Sequence, residues 1–174
     1  MQSPRLRRSQ CPAVDTTSAE RDHVAGFAAG LHHTGYTVSD LDRSVAFYRD
    51  LLGCEVLGMN ERQGGYLAAV VGYPDAHVRM AHLRVADSAH IIELFQYVTP
   101  EPGTLALEPR RIGVAHLCFV VDDLETTYAR LLAGGVEFIS APVDVDIGAN
   151  AGGRALYLRD PDGIPMELFQ LPPA

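Results

Sequence analysis

The tetrapeptide Glu-Leu-Phe-Gln occurs twice, at Glu93–Gln96 and at Glu167–Gln170. Each copy closes a segment that opens on a histidine followed by the same spaced residues. His33 is followed by Val38, Asp40 and Leu41; His116 is followed at the same offsets by Val121, Asp123 and Leu124. The chain therefore holds two copies of one module, each beginning on His and ending on Glu. A duplicated module can bring its matched residues together about a pseudo-two-fold axis. Two imidazoles and two carboxylates in such a position suit a divalent metal ion.

The pattern inside each copy alternates strand and helix signals. In module one, residues 31–98, Leu31–Val38 reads as a strand. Ser39 or Asp40 caps a helix through Asp42–Leu52, which Gly53 ends. Strand-like runs follow at Glu55–Met59, Gly65–Val71, Val78–Ala86 and, after an Asp87-Ser88 turn, His90–Tyr97. The run at Gly65–Val71 makes the strand count of this module ambiguous by one. A linker, residues 99–112, carries Pro100, Pro102, Gly103 and Pro109. Module two, residues 113–172, repeats the order. Gly113–Val121 is a strand, and Asp122 or Asp123 caps a helix to about Leu132 that Gly134-Gly135 ends. Strands follow at Val136–Ile139, Arg154–Arg159 and Pro165–Leu171, the last entered through the turn Asp160-Pro161-Asp162-Gly163. The expected fold is α+β: two tandem βαβββ modules forming a curved, cup-like mixed sheet with the helices outside.

Strand parity selects the faces. His116 alternates against Leu117, Phe119 and Val121. Glu93 alternates against Ile92 and Leu94, and Glu167 against Met166 and Leu168. Each candidate ligand thus lies opposite the heavier apolar set, on the face left for the cup. A carboxylate within an apolar strand is costly unless paired, and coordination to a cation removes that cost. His32 neighbours His33, but adjacent strand residues point to opposite sides and the match to His116 selects His33. His23, His77, His82 and His90 have no counterpart in the other copy and read as surface or packing residues, with His82 and His90 as secondary candidates to lie near the pocket.

Composition bounds the rest. The chain has 174 residues, 47% of them hydrophobic, and a formal charge of −8, enough for one domain or two small halves sharing a core. There is no basic stripe, so no nucleic-acid partner is expected. No apolar run reaches membrane-spanning length, so no membrane partner is expected either. Residues 1–28 are rich in Ser, Thr, Pro and Arg and read as a flexible N-terminal extension ahead of one domain, residues 29–174. The three cysteines, Cys11, Cys54 and Cys118, are odd in number and lack a C-x-x-C spacing. They point to a reducing, cytoplasmic setting, and Cys118 reads as a packing residue rather than a nucleophile.

The sequence resembles the vicinal-oxygen-chelate superfamily, which includes glyoxalase I, methylmalonyl-CoA epimerase, extradiol dioxygenases and the bleomycin and fosfomycin resistance proteins. The resemblance spans Leu31 to Pro172. It rests on His33-Thr-Gly-Tyr-Thr-Val-Ser-Asp-Leu, Phe47-Tyr48-Arg-Asp-Leu-Leu-Gly53, His90-Ile-Ile-Glu93-Leu, His116 with Val121-Asp-Asp-Leu124, and Asp160-Pro-Asp-Gly-Ile-Pro-Met-Glu167. It implies one divalent ion (Ni, Co, Zn, Mn or Fe) held by His33, Glu93, His116 and Glu167, and a homodimer acting on a small molecule. Extradiol dioxygenases resemble a site of two His and one Glu; here Glu93 adds a second carboxylate, as in the glyoxalase I and epimerase branches.

The expected activity is a metal-dependent lyase or isomerase that abstracts a proton next to a carbonyl, with Glu167 as base and Glu93 as the alternative. The rival readings are an Fe(II) extradiol-type dioxygenase and a small-molecule binding or resistance protein without turnover. Arg79, Asn150 and Arg154 are candidates for gripping a polar or anionic substrate, with surface arginines as the other reading, and the Gly148–Gly153 loop is either a lid over the cup or a plain long hairpin.

Overall fold

The computed structural model describes residues 30–173, except Asp87. The expected extension, residues 1–28, lies outside the described residues. The first strand, β1 (His33–Thr37), leads into helix α1 (Leu41–Ala46), which continues as a π-helical turn over Phe47–Leu51. Then come β2 (Cys54–Gln63), helix α2 (Gly65–Val71), β3 (His77–Val85) and β4 (Ile91–Thr99). The second module comprises β5 (Leu117–Val120), α3 (Leu124–Ala133), β6 (Val143–Asp144), β7 (Arg154–Arg159) and β8 (Pro165–Gln170). The strands form two four-stranded sheets ordered β1-β4-β3-β2 and β5-β8-β7-β6. In each, the first and last strands of the module run parallel and the other pairs antiparallel. The fold is α+β, as expected.

Asp40 and Asp123 are the N-caps, each accepting from a backbone N–H three residues on, Arg43 and Thr126, at 3.0 and 3.1 Å. The repeated glutamine adds a second contact. Gln96 Oε1 accepts from Leu41 N at 3.2 Å, and Gln170 Oε1 from Leu124 N at 2.8 Å. Each sheet is thereby tied to the first turn of its own helix, where backbone donors have no intrahelical partner.

Three elements depart from the sequence reading. Gly65–Val71 is a helix, not a strand. Gly64 and Gly65 both have φ near +64°, which breaks an extended run, and Gly72 ends the helix with φ of +78°. The run Leu67-Ala-Ala-Val-Val does not alternate, and its Leu67, Ala68 and Val71 lie one helical turn apart on one face. That face packs on Val78, Met80, Phe95 and Tyr97. These share strand parity with His82 and Glu93, so α2 covers part of the face expected to be open. The strand expected at Val136–Ile139 reduces to a single bridge, Phe138 to Leu158, and the outer strand is the two-residue β6 beyond Pro142. The first strand of module two is shortened to Leu117–Val120, so His116 sits one residue before it.

One apolar core joins the modules. Val38, Leu41, Val45 and Tyr48 on the α1 side pack with Ala81, Leu83, Ile92 and Leu94, and continue into Leu124, Leu131, Leu156, Leu158, Met166 and Leu168. Polar links fasten the same seam. Asp160 is 5% exposed; its Oδ1 accepts from the backbone N–H groups of Asp162 (2.9 Å) and Ile164 (2.8 Å). Its Oδ2 accepts from the Tyr48 hydroxyl at 3.4 Å. Asp162 in turn accepts from Ser39 N at 3.0 Å and from the Arg43 guanidinium at 2.6 Å.

Asp160→Ala strands these donors and should cost about 3 kcal/mol, read by urea unfolding. Burial pushes the Asp160 carboxyl above its ordinary range, against the pull of the Ile164 and Asp162 amides. The protonated form is therefore favoured in the fold, and that contribution is lost as pH rises through the raised value. Asp160→Asn does not titrate, so the stability of the wild type relative to it should fall as pH rises above the ordinary carboxylate range, about pH 4.

Candidate active site

The four expected ligands form two pairs, one on each sheet. His33 Nε2 lies 3.4 Å from Glu93 Oε2, and His116 Nε2 lies 3.1 Å from Glu167 Oε2. With metal–ligand bonds of about 2.0–2.2 Å, two neighbouring ligands of one ion sit roughly 3 Å apart. Both pairs match that spacing, and their imidazole and carboxylate donors suit a divalent ion. The glutamates are the more buried members, with side chains 15% and 19% exposed. The pairs do not converge within this chain. No group of three or more His, Cys, Asp or Glu suited to a metal forms among the described residues.

Two further polar side chains touch the pairs. His82 faces Glu93 across β3 and β4, and its Nε2 donates to Glu93 Oε1 at 2.7 Å. Tyr157 faces Glu167 across β7 and β8, but its hydroxyl lies 2.9 Å from His116 Nε2. Sequence reading kept His82 as a secondary candidate near the pocket, for want of a counterpart, and did not single out Tyr157. The usable signal was the hairpin. Each stands on the strand antiparallel to its glutamate, at the register position directly opposite.

Cys118 neighbours Glu167 in register. Burial, then repulsion from the Glu167 carboxylate, pushes its thiol up to about 11. It has almost no thiolate near neutrality, so it is a poor nucleophile, but it is exposed and does not pack in the core as expected. His90 lies away from both pairs, its Nε2 2.9 Å from the Thr34 hydroxyl on the opposite face of β1. His32 contacts its neighbour His33, the two Nδ1 atoms 2.8 Å apart.

The substrate-gripping arginines are not brought to the pairs. Arg79 and Arg154 fall on the helix faces of their sheets. Arg79 binds Asp42 at 2.9 Å and Gln96 at 3.0 Å; Arg154 binds Asp144 at 2.9 Å and Glu125 at 3.1 Å. Parity explains it: each stands an odd number of residues from the strand position that faces its glutamate. Asn150 is exposed in the loop between β6 and β7. That loop curls toward Phe169, which shares the Glu167 face. A Cβ on Gly153 would come within 2.7 Å of Phe169 Cζ and 2.8 Å of Gln170 O, so only glycine fits there. A cavity of about 410 Å³ on α2 is lined by Gly65, Ala68, Ala69, Gly72 and Pro74, none of which ionises.

Comparison with known proteins agrees with this architecture. Residues 30–168 match the Glyoxalase/Bleomycin resistance protein/Dioxygenase superfamily, and the chain belongs to that family. It is 30% identical over 149 residues to a 2-epi-5-epi-valiolone epimerase from an Actinomyces species, covering 83% of this chain and 81% of the relative. It is 31% identical over 141 residues to a lactoylglutathione lyase from Haemophilus influenzae, covering 79% and 90% of the two chains. A glyoxalase family protein from Bacillus cereus superposes with a TM-score of 0.76 at 22% identity, over 86% of this chain and 99% of the other. The fold is thus that of glyoxalase family proteins. No helix among the described residues is long and apolar enough to cross a membrane.

A thiol held near 11 should alkylate slowly at neutral pH. Iodoacetamide labelling of Cys118, followed by peptide mass spectrometry, should accelerate about tenfold per pH unit up to that value.

Proposed function

We propose that the chain is a divalent-metal-dependent lyase or isomerase that moves a proton next to a carbonyl, working as a homodimer. The observation that carries this reading is the repetition, at one register position of both modules, of a His–Glu pair at ligand spacing, 3.4 and 3.1 Å. The family's epimerase and lactoylglutathione lyase relatives support the reaction type. Composition narrows the route: the chain has no lysine, so its own side chains offer no imine to activate a carbonyl. An ion bound by His33, Glu93, His116 and Glu167 would polarise that carbonyl as a Lewis acid.

Glu167 is the base. Its carboxylate takes the proton from the carbon beside the carbonyl and returns it to that carbon or its neighbour. His33 and His116 would hold the ion through ring nitrogens and take no part in the proton transfer. Tyr157, against His116, keeps a hydroxyl at the same spot to hold a substrate oxygen.

The homodimer follows from the sheet edges. β1 and β5 are both edge strands, with no partner beyond them among the described residues, and each carries or adjoins its histidine. Unpaired edges invite pairing. Placing β5 of a second copy beside β1 would bring one His–Glu pair from each chain together and complete a four-ligand set.

The purified protein should hold a near-stoichiometric divalent ion by elemental analysis, and His116→Ala should lose it. Iron with oxygen uptake on catechols would replace this reading by the dioxygenase. No metal in either protein after reconstitution would leave a binding module. Glu167→Gln should keep most of the metal while turnover on ketone epimers or 2-oxo thiohemiacetals falls about 10²–10⁴-fold. Neither His33→Ala nor His116→Ala should bind metal alone. Co-refolded, they should regain about a quarter of the wild-type content, because a mixed two-fold dimer rebuilds one site from its two intact halves. A site held within one chain would show no rescue.

A further inference from the structure

The duplicated modules differ at one point of contact, and that difference assigns a role to His82. Across the first sheet, Gly35, Glu93, His82 and Gly58 stand in one register row on β1, β4, β3 and β2. Glycine on both flanking strands leaves the central pair uncovered; a Cβ at either would meet no atom within 4 Å. Within the pair, each oxygen of Glu93 has its own histidine. Oε1 accepts from His82 Nε2 at 2.7 Å, and Oε2 faces His33 Nε2 at 3.4 Å. Glu167 has only one such partner, His116, at 3.1 Å. The residue that stands opposite it, Tyr157, turns its hydroxyl to that histidine instead, at 2.9 Å.

We infer that His82 is a positioning residue for Glu93. It fills Oε1 and so fixes the carboxylate with Oε2 alone turned toward His33, as a stationary one-oxygen ligand. The inference rests on the metal reading proposed above and deepens it. Two symmetry-related glutamates in one site would otherwise be equivalent. A charge-assisted hydrogen bond on one of them holds it in place and leaves the other, Glu167, free to move to the substrate. The carboxylate can only accept, so His82 carries a proton on Nε2. Groups on the remaining packed elements leave this contact alone. Arg84 is engaged by Glu55 at 2.6 Å, and α2 presents only apolar side chains to the face.

The test uses two substitutions that differ in reach. In His82→Gln the side-chain amide nitrogen stands as many bonds from the backbone as Nε2 and can still reach Glu93. In His82→Asn it is one bond short. Cobalt(II) is titrated into the full-length, metal-free proteins, with affinity read by calorimetry and ligand geometry by visible absorption. His82→Asn should bind cobalt about 10–100-fold more weakly with an altered spectrum, while His82→Gln stays within a few-fold of wild type. Wild-type affinity and spectrum in His82→Asn would overturn the inference and leave the metal reading standing. Equal weakening in both variants would also overturn it, because loss of the imidazole bulk would then be the cause. Failure of the wild type itself to bind cobalt would overturn the metal reading and this inference with it.

Discussion

The seam between the modules governs what the molecule can present. The Asp160 carboxyl, in the turn before β8, is buried among two backbone amides and the Tyr48 hydroxyl, and Asp162 holds Ser39 and Arg43 beside it. These contacts join the first helix of one module to the last turn of the other. At the far end Arg130 of α3 donates to the Leu51 carbonyl at 3.0 Å, and Leu51 packs on Gly134. The helix-bearing faces therefore share one core. The two glutamate-bearing faces are left outside it, each with its histidine on or just before an edge strand. A chain built this way presents two His–Glu pairs, one on each sheet, and both follow from where the core had to close.

The repeated Glu-Leu-Phe-Gln now has a physical reading. Successive residues alternate faces, so Glu and Phe look one way while Leu and Gln look the other. Leu94 and Leu168 fill the core, and Gln96 and Gln170 reach the N-termini of α1 and α3. Phe95 and Phe169 floor the opposite face next to Glu93 and Glu167. Phe95 lies beneath α2, and Phe169 lies against the Gly153 loop. Four residues thus fix a carboxylate, a core contact, an aromatic ring beside the carboxylate and a helix anchor. Divergence of a duplicated strand is hard where all four positions are committed.

What was legible in the sequence was whatever repeats. Module order, both caps, both helix stops and the faces of all four His and Glu residues could be read, because each appears twice in one pattern. What was missed is what occurs once. Gly65–Val71 has no counterpart, and its β-branched content hid a helix that two left-handed glycines impose. His82 and Tyr157 are different residue types at equivalent hairpin positions, so a search for matched residues ranked one low and never reached the other. Arg79 and Arg154 do match in position. Their shared position reflects a shared structural task, tying a strand to an acidic residue of its helix, Asp42 in one module and Glu125 in the other.

Duplication and function pull against each other here. Symmetry supplies four donors cheaply, since one strand-and-hairpin geometry produces both pairs. The proton transfer proposed above would need asymmetry, because one carboxylate would move while the other stayed. The smallest change that separates them is a side chain that touches the glutamate but lies outside the core, where substitution leaves packing intact. The register position opposite each glutamate meets both conditions. It faces away from the shared core, and it differs between the modules, His82 in one and Tyr157 in the other. The same reasoning places the covering elements, helix α2 on one sheet and the Gly148–Gly153 loop on the other. Both sit on the glutamate faces, both are free of the inter-module seam, and the two are unrelated in sequence. Chemical identity in such a protein is therefore written where the repeat breaks, and the fold where it holds.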